Sequence, residues 1–171
     1  MSSTNAPFGL RPAYHPSGLD RAVTLADGIA SAYNTAILKG QPVKLNSSGN
    51  IVVAAAGDAF QGAFAGVQWT DTTGRARVSN YWPANTAYTA GTCVAYYYND
   101  PNIVYEIQAA GSTTTGLSAC TLSTTLVGAG NSAQMLIRDL APYPDNAWGD
   151  SYTIVRVTIN ESQFNASVLA V

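Results

Sequence analysis

Apolar and polar positions alternate with a period of two through most of the chain beyond residue 20, the signature of half-buried β-strands. Arg21-Ala-Val-Thr-Leu-Ala26 alternates weakly and stops at Asp27-Gly28, a turn pair. Gln41–Leu45 and Ile51–Ala55 flank Asn46-Ser-Ser-Gly-Asn50, which predicts a hairpin. Phe60–Thr70 sets Phe60, Gly62, Phe64, Gly66 and Gln68 against Ala63, Ala65, Val67 and Trp69. Glycines inside a strand point to a bulge or a close backbone approach. Asp71-Thr-Thr-Gly74 predicts a second hairpin, returning through Arg75–Tyr81 with Arg75, Arg77 and Ser79 outward and Ala76 and Val78 inward. Thr92–Tyr98 and Ile103–Gln108 flank Asn99-Asp-Pro-Asn102 and predict a third hairpin.

Further along, Gly111–Ser132 reads as loop with short extended pieces, and Ala133–Asp139 as a strand. Tyr152–Ile159 gives the clearest strand, with Ile154, Arg156 and Thr158 on one face and Val155, Val157 and Ile159 on the other. Ser167–Val171 is expected to add an edge strand. Ile29–Leu38 fits neither period cleanly. Short strands with frequent turns predict an all-β fold, an antiparallel β-barrel or sandwich. The 171 residues suit one such domain over 21–171.

Residues 1–20 differ. Pro7, Pro12 and Pro16 alternate with Gly9 and Gly18, which disfavours helix and predicts an extended N-terminal arm. Phe8, Leu10, Arg11, Pro12, Tyr14 and His15 lie in it. Apolar side chains on an extended arm suit docking on a neighbour.

Composition sharpens the picture. Only 11% of residues are charged, and the formal net charge is −2. That balance argues against an electrostatic nucleic-acid binder, which needs a basic face. A surface poor in ions suits standing contacts with other subunits, because few charges need desolvating. The first residues have neither a basic stretch nor an apolar run, so a signal peptide is not expected. No apolar run approaches bilayer length, so no membrane partner is expected. Cys93 and Cys120 match no zinc spacing, and neither metal nor cofactor is expected. His15 is the sole histidine, so a Ser-His-Asp or Cys-His centre would have to recruit it from the arm. Most aspartates fall in turns, where they bond their own backbone. The inventory predicts a protein without enzymatic activity.

The aromatic inventory is richer. Trp82 and Trp148 sit beside Pro and Gly, and the Tyr96-Tyr97-Tyr98 run must point to both faces of its strand. Trp82, Tyr97 and Trp148 are candidate exposed contacts, which leaves open a carbohydrate-binding β-sandwich on a virion or cell surface.

Several segments together resemble structural proteins of tailed bacteriophages. They are Asn5-Ala-Pro-Phe-Gly-Leu-Arg-Pro12, Gly40-Gln-Pro-Val43, Gly62-Ala-Phe-Ala-Gly66, Asn80-Tyr-Trp-Pro83, Asp100-Pro-Asn-Ile-Val-Tyr-Glu-Ile107, Pro144-Asp-Asn-Ala-Trp-Gly149 and Val157-Thr-Ile-Asn-Glu161. The family resembled is the capsid decoration, or cement, proteins. The resemblance implies a β-rich subunit made in the host cytoplasm and bound to the outside of the expanded shell. It also implies a homotrimer whose N-terminal arms lie across the major capsid protein. Residues 1–20 would then be the docking arm.

Overall fold

The computed structural model describes residues 4–109 and 133–164. Ten strands make two antiparallel sheets that pack together as a β-sandwich, and no helix occurs among the described residues. The all-β expectation therefore holds, in its sandwich form. The predicted 111–132 loop, the predicted strand at 167–171 and Cys120 lie outside the described residues.

The six-stranded sheet uses β2 (Val23–Ala26), β3 (Pro42–Leu45), β4 (Ile51–Val53), β5 (Gly62–Thr70), β6 (Ala76–Ser79) and β7 (Val94–Tyr98). Its order is β2-β7-β5-β3-β4, with β6 paired to the far half of β5. Two expected hairpins form as read, β3–β4 and β5–β6. The register between β5 and β7 shifts between Phe64 and Gly66. That bulge lets Phe64, Val67 and Trp69 share one core despite their odd spacing. Gly62 marks a close approach, since a Cβ there would lie 1.8 Å from the Tyr98 carbonyl oxygen.

The four-stranded sheet has the order β1-β8-β10-β9, from β1 (Arg11–Tyr14), β8 (Val104–Gln108), β9 (Met135–Leu140) and β10 (Ile154–Ile159). The expected third hairpin is not one. β7 and β8 enter different sheets, so Asn99–Asn102 is a crossing between layers. Each strand already has two neighbours: β2 and β5 for β7, β1 and β10 for β8.

Adjacent residues on β7 reach two separate cores. Tyr97 joins Ile29, Ile37, Val43, Phe64, Trp69 and Trp82, whereas Tyr98 packs on the second core with Leu10, Phe60, Tyr105, Ile107, Val155 and Val157. Ile29–Leu38, ambiguous in sequence, is a run of turns whose Ile29 and Ile37 cap the first core. Val78, expected to face inward, is instead 81% exposed. β6 pairs only the overhanging end of β5, so its alternation has no layer above it.

Candidate functional site

The first strand lies inside the segment read as an arm. β1 is an edge strand on β8, with Arg11 opposite Glu106 and Pro12 opposite Tyr105. Leu10 is buried in the second core, and its N–H donates to the Gly40 carbonyl at 2.7 Å. Gly40, at φ 76°, lets the backbone at Phe8 and Leu10 pass within contact distance. Gln108 holds the segment further out. Its Nε2 donates to the Thr4 carbonyl and its Oε1 accepts from the Ala6 N–H, both at 2.9 Å.

Across the same sheet runs a row of alternating charges. Arg11, Glu106, Arg156 and Asp139 occupy successive cross-strand positions on β1, β8, β10 and β9. Arg11 reaches Glu106 at 2.6 Å, while Arg156 stands 3.6 Å from both Glu106 and Asp139. The Tyr143 hydroxyl donates to Glu106 Oε2 at 2.7 Å. Burial pushes the Glu106 carboxyl up, but the Tyr143 and Arg11 hydrogen bonds and both arginine charges outweigh it, so the net shift is downward. Phe8 lies under the Arg11 guanidinium at 4.5 Å, and Tyr14 under that of Arg156 at 5.5 Å.

His15 leaves the strand for a turn and meets Asp100, with Nε2 3.1 Å from Oδ2. Its Nδ1 lies 2.6 Å from Ser17 Oγ and accepts the Ser17 backbone N–H at 3.0 Å. Serine, histidine and aspartate thus come together, as in a hydrolase, but the chemistry is incomplete. The lone pair that would take the hydroxyl proton already holds a backbone N–H, and Ser17 lies in an exposed turn. The trio ties the first strand to the inter-sheet crossing.

A cleft of about 420 Å³ opens beside this segment, lined by Phe8, Leu10, Pro12, Lys39, Phe64 and Tyr98. Arg11 and Asp20 also line it, so charged and apolar side chains share the cleft, and Ser17 is not part of it. Among the described residues, no three His, Cys, Asp or Glu side chains come together as metal ligands. Among the same residues, no helix is long and apolar enough to cross a membrane.

The three candidate aromatics separate. Trp82 is fully buried, edge-on to Trp69 at 5.5 Å and to Tyr88 at 6.1 Å. Tyr97 is also buried, in the first core. Their expected exposure is corrected: Trp82 pairs with Ile37 across a bridge that closes the core, and Tyr97 is on a central strand. Trp148 is 64% exposed, on a loop anchored by Asn146, which bonds Ala141 and both backbone groups of Ile154. Tyr14, one of the arm candidates, is exposed, and so are Leu19, Tyr81, Leu136, Ile137 and Phe164, which the sequence pattern did not single out as contacts.

The turn aspartates behave as their positions predict. Asp71 Oδ1 accepts from the backbone of Thr73 and Arg75, and Asp100 Oδ1 from Asn102. The Thr73 hydroxyl, the Arg75 N–H and the Arg77 guanidinium hold the Asp71 carboxyl well below the usual range.

Comparison with protein-family models, with curated proteins and with solved structures finds no match for this chain.

Proposed function

We propose that the protein is a non-enzymatic capsid decoration protein that binds the outside of an expanded phage shell and ties neighbouring major capsid protein subunits together. The observation that carries this reading is the surface. Large apolar side chains stand exposed at Tyr14, Leu19, Val78, Leu136, Ile137, Trp148 and Phe164, on a chain with only 11% charged residues. A surface this poor in ions costs little desolvation when it is covered, which supports lasting contact with another protein. The sequence resemblance supplies the partner.

The contact is assigned to the exposed Arg11 and Tyr14 with the half-buried Phe8 and Pro12 beside them, whereas the His15 side chain is largely buried against Asp100 and Ser17. Leu10 serves the core of its own chain and is not available while this fold holds. Co-sedimentation with expanded capsids lacking this protein tests the reading. Saturable binding is expected, weakened about tenfold by Tyr14→Ala with Phe8→Ala, a loss in line with roughly 1.4 kcal/mol. No binding by the folded full chain overturns it.

A carbohydrate-binding role is the second reading, favoured by exposed Trp148. It predicts glycan-array signals that Trp148→Ala abolishes, without any effect on capsid binding.

A further inference from the structure

Among the described residues, five strands present a free edge: β1 and β9 in one sheet, β2, β4 and β6 in the other. Free edges recruit other strands unless something blunts them. Pro12 and a register shift blunt β1. A register shift opposite Arg156 and the exposed Arg138-Asp139 pair blunt β9. Arg77 lies on β6, Arg75 adjoins it, and β4 is only three residues long. Among the described edges β2 alone is regular, with neither proline nor charge between Val23 and Ala26.

The phase of its hydrogen bonds is fixed. The Asp27 N–H donates to the Cys93 carbonyl at 2.7 Å, at the end of the β2–β7 ladder. Bonded pairs recur every second residue. Val23, Leu25 and Asp27 therefore turn their backbone toward β7, while Ala22, Thr24 and Ala26 turn theirs to the open edge. All three of those residues are exposed.

The edge is also self-complementary. An antiparallel pairing of two copies about a two-fold axis at Thr24 sets Thr24 against Thr24 and Ala22 against Ala26. Just beyond the paired strands, the same register brings Arg21 near the other copy's Asp27, a turn residue at φ 48°, at both ends. Both side chains are exposed and have no ion partner among the described residues. Every backbone group turned outward meets one turned outward on the other copy.

We propose that β2 is the contact edge for a second copy of this chain, joining two six-stranded sheets into one across a two-fold axis. The proposal stands apart from the capsid reading and is tested on the free protein. A two-fold contact also differs from the three-fold association that the sequence resemblance implies. One strand from each copy buries less than a standard interface, so the dimer should be weak, with Kd about 10–100 µM.

Sedimentation equilibrium of the full chain up to about 500 µM is the experiment, a range that spans the expected Kd. A monomer–dimer equilibrium is expected. Thr24→Pro, which removes an outward N–H and leaves the β7 ladder whole, should weaken it at least tenfold with an unchanged circular dichroism spectrum. Arg21→Asp should weaken it about tenfold, and adding Asp27→Lys should restore most of the loss. Thr24→Cys should give a disulfide-linked dimer on mild oxidation, since bonded antiparallel partners have Cα atoms about 5.5 Å apart. A monomer throughout, a trimer, or a dimer indifferent to Thr24→Pro overturns the proposal. Should Thr24→Pro fail to fold, absence of a cross-linked dimer in the Thr24→Cys variant overturns it.

Discussion

Glu106 sits where two arginines and a tyrosine converge, and its replacement tests the row of charges directly. Glu106→Gln keeps the shape, leaves Arg11 and Arg156 facing a neutral amide, and should cost about 1–3 kcal/mol in urea unfolding. Its carboxyl is held below its unfolded value, so the stabilisation is complete above the unfolded value. It is lost as the pH falls through the native value. Acid titration should therefore destabilise the native chain more than the Gln variant below about pH 4.5. At Gly62 the deciding quantity is distance. Gly62→Ala drives a methyl into the Tyr98 carbonyl and should cost more than about 3 kcal/mol, whereas Gly57→Ala meets open space and should cost about 1. A fluorophosphonate probe should leave Ser17 unlabelled, because its neighbouring imidazole nitrogen is occupied. Residue identities were legible where the environment is local, as at the turn aspartates. Burial of Trp82 was not, because it depends on Ile37, 45 positions away, closing over it.

Among the elements, the first strand behaves as part of the sandwich. It carries Leu10 into the second core, sets Arg11 on Glu106 and is fastened by Gln108. Leu10→Ala should destabilise by about 2–4 kcal/mol, read as a lower urea midpoint with an unchanged slope. Deletion of residues 1–18 should lower stability further and, on the proposed capsid role, weaken binding through unfolding as well as through lost contacts. Point changes at Phe8 and Tyr14 separate those effects. Strands with a local partner were readable from the chain, because turn chemistry and alternation sit within a few residues at β3–β4 and β5–β6. The false third hairpin had equally good turn chemistry. What decided it was competition for edges, a non-local matter that the Asn99–Asn102 sequence does not contain. Val78 teaches the same lesson: alternation says which residues share a face, and only the neighbouring layer says which face is covered.

For the molecule as a whole, the two sheets differ in how the chain builds them. All six strands of the larger sheet lie between Val23 and Tyr98, in one continuous stretch. The smaller sheet is gathered from Arg11–Tyr14, Val104–Gln108, Met135–Leu140 and Ile154–Ile159. Pairings across such separations form slowly, since the loop must close before any contact rewards it. The larger sheet can therefore be complete while the chain is still emerging from the ribosome. β8 must wait for β10, the last described strand to be made, before both its edges are covered. Until then its backbone is paired on one side only, by the first strand. Synthesis that stalls before residue 154 thus leaves a half-built protein with a finished layer and an open one, an invitation to aggregation that β10 closes.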